Sequence, residues 1–323
     1  MLLFFVLQFF SNLLLLPSPP PRFFFPQVVE ALAAARSADP RRPPALTAFY
    51  SSELGGITTE PALAVVHFDD HLVHRGHAVF DTAEIIEGRL YALDDHLERF
   101  FRSAALARLR LPFPREQVRR VVLETAAAGR KMDGHVRYWL GAGRGGFGLG
   151  PLECARPSFF AVAYGKRADG RDGDLLLDAN GRDPGGVSLL TALDVPAPDR
   201  MMARIKSTNY LRHAVAQARA EEAGADHAVF AREDRDGALF VTEGATVSIG
   251  VITAGGELVI PPFGGESLAG CTAKRVLELM PAVRSSPPPL FFELFLPGFS
   301  FFFFSLFRRS RIDETLTLSP SFN

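Results

Sequence analysis

Apolar and polar positions change period several times along residues 48–164, and each change predicts an element. Residues 62–68 alternate weakly up to Asp69 and Asp70, residues 79–86 read as a strand, Glu87-Gly88 as a turn and residues 89–92 as a returning strand. From Asp94 to Arg108 the apolar residues Leu97, Phe100, Phe101, Ala104 and Ala105 recur at helical spacing, and Pro112 and Pro114 end that helix. Residues 115–128 predict a second helix, and residues 135–140 and 158–164 two more strands. Residues 168–186 are rich in Gly, Asp and Arg without periodicity, which predicts a linker. Strand signals follow at 187–193, 228–231, 239–241, 246–253 and 258–260. A helix carrying Lys206 on its lip is expected to run to Ala223, and another from Thr272 to about Met280. The pattern is that of a mixed α/β, or α+β, protein.

Composition narrows the function classes. At 323 residues and 47% hydrophobic the chain can bury a sizeable core and allows two domains. A net charge of −1 gives no long-range field for nucleic acid or an anionic membrane. Cys154 and Cys271 are too few for a disulfide framework or a cysteine-rich zinc site, which points to a reducing compartment. Many of the 29 Phe lie in the two ends of the chain, which read apart from the middle. Residues 1–25 are apolar but lack the basic start and small-residue cleavage site of a signal peptide. Residues 285–308 are apolar but broken by Glu293, Pro297 and Gly298, short of the roughly 20 apolar residues that span a bilayer.

Lys206 lies in ARIKSTNYLRHAVA, residues 203–216, followed by Ser, Thr and Asn, which favour helix starts over helix interiors. A lysine held half-buried there has its ammonium form disfavoured, so its free amine can capture an aldehyde. Most lysines are solvated surface charges, so the reading depends on context. That context is VTEGATVSI from Val241, DDHLERFFRSA from Asp94, VRYWLGAG from Val136 and LAGCTAKRVLEL from Leu268. Together these stretches resemble the class IV aminotransferases, pyridoxal-phosphate enzymes of fold type IV. The resemblance covers residues 48–280 and is strongest to plant D-amino-acid aminotransferase-like and aminodeoxychorismate lyase-like members, through DDHLVHRGHAVFDTAEIIEGRLYALDDHLERF.

The resemblance implies a small N-terminal α/β domain at 48–167, the linker at 168–186 and a cofactor-binding domain at 187–282. Residues 1–47 would be a non-core extension and 283–323 a low-complexity tail where the family continues, so the C-terminal part is expected to be truncated or replaced. Lys206 would hold the aldehyde of pyridoxal 5'-phosphate and move the substrate proton, and Glu243 would keep the pyridine nitrogen protonated. Taken alone, Glu243 could equally be a turn residue. Arg99 would grip the phosphate bidentately, although any single helix arginine can be a surface ion pair. The backbone of Cys271 and Thr272, at a helix start, would assist it. Tyr210, four residues after Lys206, would return to the same helix face, and Ser248 replaces the asparagine of relatives. Arg137 and His135 are the candidates for binding the substrate carboxylate.

The implied activity is amino transfer from a D-amino acid to a 2-oxo acid. Aminodeoxychorismate lyase, branched-chain aminotransferase and a catalytically silent truncated homologue are the alternatives. The family also implies a homodimer, no nucleic-acid or membrane partner and, for the plant-like members, a plastid location. Two further patterns carry less. Gly141-Ala-Gly143-Arg-Gly145-Gly146 matches a dinucleotide fingerprint but is followed by Gly148, Gly150 and Pro151 where a helix should start, so it reads as a loop near the active-site mouth. His67, Asp69, Asp70, His71, His74 and His77 would split between two faces if they lay on a strand, so no metal is expected.

Overall fold

The computed structural model describes residues 25–37, 46–166, 188–233, 239–252, 258–283 and 301–305. Residues 1–42 form one unit and 43–323 another. The first contains helix α1 (Phe25–Ser37), to which the apolar pattern assigns no element. Pro26 near its start and the Ala- and Leu-rich stretch after it favour a helix by intrinsic propensity. None of the described helices is long and apolar enough to cross a membrane.

The second unit begins with β1 (Leu46–Ser51) and β2 (Gly56–Thr58), followed by the single helical turn α2 (His71–His74) and the long strand β3 (Ala78–Ile86). Then come β4 (Arg89–Leu90), α3 (Leu93–Leu106), α4 (Arg115–Ala128), β5 (Gly134–Gly141) and β6 (Ser158–Gly165). These strands form one sheet in the order β2-β1-β6-β5-β3-β4, antiparallel at every pairing. Side chains alternate across it. Val79, Ala83, Val136, Tyr138, Leu140, Phe159 and Ala161 are buried in one core with Leu97, Phe100, Phe101 and Ala104 of α3 and Val118 and Val122 of α4. Phe100 is fully buried, and cutting such a side chain to alanine typically costs about 3–5 kcal/mol. The opposite face carries Phe80, Thr82 and Glu84, paired across the strands with Trp139, Arg137 and His135.

The remaining elements are β7 (Leu189–Thr191), α5 (Leu211–Glu222), β8 (His227–Glu233), β9 (Leu239–Gly244), β10 (Ser248–Ile252), β11 (Leu258–Val259), α6 (Cys271–Val283) and β12 (Phe301–Ser305). They form two three-stranded sheets, β7-β8-β9 and β11-β10-β12. β7 and β8 run parallel, and α5 connects them, packing Ala216 and Ala220 against Ala228 and Phe230. Within the expected low-complexity tail, the backbone of 301–305 runs parallel beside β10. The expected linker lies outside the described residues.

Three local expectations need correction. The returning strand stops at Leu90, because Ala92 adopts φ 46° and opens α3. Residues 62–68 form no strand; a short 3-10 turn, Pro61–Leu63, stands at their start. His71 and His74 lie on a helical turn with ring centroids 4.8 Å apart, so the strand-alternation argument does not apply to them. No group of three His, Cys, Asp or Glu among the described residues is placed to share a metal ion.

Candidate active site

The largest correction concerns Lys206. α5 begins only at Leu211, and Lys206 lies before it on an extended segment pinned to the edge of β3. Phe80 N donates to Lys206 O at 2.9 Å and Thr208 N donates to Ala78 O at 3.0 Å. Lys206 N donates to Ser103 Oγ of α3 at 3.1 Å. The edge is available because β4 is two residues long and pairs only with Ile85 and Ile86. An unpaired edge beside buried side chains needs a partner for its backbone groups, and the lysine segment supplies one. Two backbone–backbone hydrogen bonds and one from the Lys206 N–H to the Ser103 hydroxyl therefore fix the point from which the Lys206 side chain extends.

That side chain enters a cavity of about 300 Å³. Lys206 is the only lysine among the described residues lining it. Its Nζ donates to Tyr210 Oη at 3.3 Å and lies 4.9 Å from the centroid of the Phe80 ring. Tyr210 caps α5 rather than sharing a helical turn with the lysine, so the pair meets through the bend at 207–210. The Tyr210 ring stacks on His213 at 4.2 Å, and His213 Nε2 lies 3.9 Å from Glu243 Oε1. His213 was not among the sequence candidates. Its signal was its position three residues after Tyr210, on the same face at the start of a helix.

Glu243 stands near the end of β9, is 8% exposed and also lines the cavity. Leu268 N donates to its Oε2 at 2.8 Å. Oε1 accepts no hydrogen bond among the described residues. With His213 Nε2 near it at 3.9 Å, this oxygen can accept an N–H donor from a bound molecule. Ser248, Cys271 and Thr272 line the same cavity. Gly270 precedes α6, where the first N–H groups of the helix have no partner within it. A Cβ on Gly270 would come within 2.5 Å of Ser248 Oγ, so the loop before α6 passes close against the start of β10 and a larger residue there would have to turn the Ser248 hydroxyl aside.

Arg99 also lines the cavity, held from behind. Its Nε donates to Asp81 Oδ2 at 2.8 Å and its Nη2 to Asp81 Oδ1 at 2.7 Å. His96 Nδ1 lies 2.9 Å from the same Oδ1. Burial alone would raise the Asp81 pKa, but the charge and hydrogen bonds of Arg99 outweigh it and hold the carboxyl well below its usual range. Burial likewise works against a charged His96, yet its hydrogen bond to Asp81 pushes it up to about 9.

The linkage sign follows from that shift. His96 has a higher pKa folded than unfolded, so the stability it contributes is complete below pH 6.5 and lost as pH rises through about 9. The shift corresponds to a contribution on the order of 3 kcal/mol. Denaturant unfolding from about pH 6 to about pH 10 is expected to show this decline, and a His96→Gln variant to flatten it. An equal slope in both proteins contradicts the assignment.

His135 forms part of the cavity wall, whereas Arg137, beside it on β5, does not line the cavity. Arg137 Nε donates to Thr82 Oγ1 at 2.8 Å, and Thr82 does line it. The glycine-rich segment after β5, expected at the mouth, contributes nothing to the lining. Gly143 instead packs where a Cβ would overlap Arg156 O, at φ 106°.

A single amine, an open carboxylate, a guanidinium and a helix start thus surround one cavity, a donor set suited to a phosphorylated aromatic aldehyde. The model of the amino-transferase class IV family matches residues 78–286. The chain belongs to the class IV aminotransferases. Pyridoxal 5'-phosphate is the cofactor of this family. The class IV chain is 42% identical over 234 residues to a protein named D-amino-acid transaminase, chloroplastic, from Arabidopsis thaliana, covering 72% of this chain and 58% of that enzyme. The match thus spans less than two thirds of the plant relative's length. The chain is 30% identical over 227 residues to a putative branched-chain-amino-acid aminotransferase of Methanocaldococcus jannaschii, covering 70% and 73% of the two chains. Among solved structures it superposes on the PLP-bound form of a hypothetical aminotransferase from Mycobacterium tuberculosis, with a TM-score of 0.57 and 24% identity over 80% of this chain and 81% of that one.

Proposed function

We propose that this class IV chain transfers the amino group of a D-amino acid to a 2-oxo acid, using pyridoxal phosphate held by Lys206. The observation that carries this reading is that Lys206 Nζ and the open Oε1 of Glu243 face one cavity. Lys206 Nζ would hold the aldehyde, and Glu243 Oε1 would accept from the ring nitrogen. Arg99 and the first N–H groups of α6 would take the phosphate. Bound pyridoxal phosphate supplies the electron sink that makes a substrate α-hydrogen acidic. The residues do the remainder. Lys206 Nζ would accept the substrate α-proton as base and give it back as acid. Tyr210 Oη, 3.3 Å away, orients that amine. His135, which lines the cavity, is the candidate for the substrate carboxylate, whereas Arg137 reaches the lining only through Thr82.

The preference for D-amino acids draws on the likeness to the Arabidopsis enzyme, as does a plastid location. A homodimer is the arrangement expected from the family. Phe68, Phe147, Leu149 and Leu152 are exposed apolar side chains of the kind such an interface would cover.

Incubation with D-alanine and 2-oxoglutarate is expected to yield pyruvate and glutamate, with L-alanine giving far less. Pyruvate and aminobenzoate released from aminodeoxychorismate, with no transfer from D-alanine, would move the chain to the lyase reading. Neither reaction, in protein that has taken up the cofactor, would contradict both.

A further inference from the structure

We propose that Asp81 is a positioning residue of the phosphate site: buried behind Arg99, it locks the guanidinium so that its remaining edge faces the phosphate together with the start of α6. The inference rests on the reading that pyridoxal phosphate binds here.

Asp81 occupies a place in β3 where the sheet pattern calls for an apolar side chain. Val79, Ala83 and Ile85, two residues apart on the same strand face, are all buried hydrophobics. Asp81 itself is 0% exposed and does not line the cavity, whereas Arg99 and His96 do. It can therefore act on a bound molecule only through them. Its acceptor capacity is spent on that task and on its own strand: Oδ2 takes Arg99 Nε, and Oδ1 takes Arg99 Nη2, His96 Nδ1 and the backbone N–H of Thr82. Tyr138, its partner across β5, has a buried hydroxyl with no hydrogen bond among the described residues, so it does not compete for the carboxylate.

Stability alone is a weak reason for such an arrangement, since a buried ion pair can often be replaced by apolar residues without loss. What the pair provides is a direction. Two parallel N–H···O bonds fix the plane of a guanidinium, which a single point contact would not. Two of the three Arg99 nitrogens are engaged from behind, and Nη1 has no partner among the described residues. His96, three residues earlier on the same helix face, shares the carboxylate and adds a second cationic group on the cavity wall.

The test compares pyridoxal phosphate with pyridoxal, which has the same aldehyde and ring but no phosphate. Dissociation constants for both are measured by the visible absorbance change on binding, in wild-type protein, Asp81→Asn, Arg99→Gln and the double variant. Asp81→Asn is expected to weaken pyridoxal phosphate by about 10- to 100-fold, the usual cost of removing a group that orients a ligand contact, and to leave pyridoxal unchanged. The double variant is expected to bind pyridoxal phosphate no more weakly than Arg99→Gln, because Asp81 has nothing left to orient.

Equal weakening of both aldehydes by Asp81→Asn would mark a general packing role and overturn the proposal, as would no weakening of either. Where Asp81→Asn does not fold, Arg99→Lys carries the same comparison, since it keeps the charge and loses the two-pronged grip. Selectivity for the phosphate should fall with it, and wild-type selectivity in that variant would overturn the proposal. Wild-type protein that binds neither aldehyde would remove the reading on which the proposal rests. That outcome is distinct from an Asp81 variant behaving like wild type.

Discussion

Replacing Lys206 with alanine is expected to reduce amino transfer by about 10⁴-fold or more, as expected when one group serves as both cofactor anchor and proton carrier. No second lysine among the described residues lines the cavity to take its place. The fold should tolerate the change. The backbone bonds of residue 206 to Phe80 and Ser103 do not involve its side chain, and the half-buried side chain contributes one 3.3 Å hydrogen bond to a neighbouring tyrosine. Melting temperature and far-UV dichroism of Lys206→Ala should therefore match wild type while the visible band of the bound cofactor disappears. A variant that retains the band and a substantial rate would place the reacting amine elsewhere.

Replacing Glu243 with glutamine is expected to lower the rate by about 10²- to 10³-fold, the scale of removing one preorganised electrostatic group, with cofactor still bound. Glutamine keeps the size of the side chain and an oxygen that can accept from Leu268 N. It loses the negative charge that would hold a proton on the pyridine nitrogen, and with it part of the electron withdrawal on which the α-proton transfer depends. Bound cofactor should remain because its aldehyde and phosphate are held by other groups. Single-turnover absorbance changes with D-alanine separate the two effects. An unchanged rate would mean that Oε1 does not face the ring nitrogen.

The residues that surround the cavity were legible in the sequence where the signal was local. Lys206, Tyr210, Glu243, Ser248, Cys271 and Thr272 sit in short runs whose order marks the family, and all line one cavity. How Lys206 is held was not legible. Ser207, Thr208 and Asn209 do resist a helix interior, as their side chains suggest, but they form an edge pairing with β3 instead of a helix start. That outcome depends on the shortness of β4, a property of a distant hairpin.

Asp81 was hidden for a related reason. Within residues 79–86 it interrupts an apolar row, and only the packing of α3 over that face shows that the interruption meets Arg99 and His96. His213 was hidden because its role depends on a stack with Tyr210 and on proximity to a strand far along the chain. β1 and β2 escaped as well, since Gly55 and Gly56 break a hairpin too short for clear alternation.

Reduction with borohydride after incubation with pyridoxal phosphate, followed by mass analysis of the proteolytic peptides, tests the central claim most directly. The account predicts a pyridoxyl group fixed on the peptide that carries Lys206 and on no other. A label on a different lysine, or none in protein that retains its fold, would contradict it.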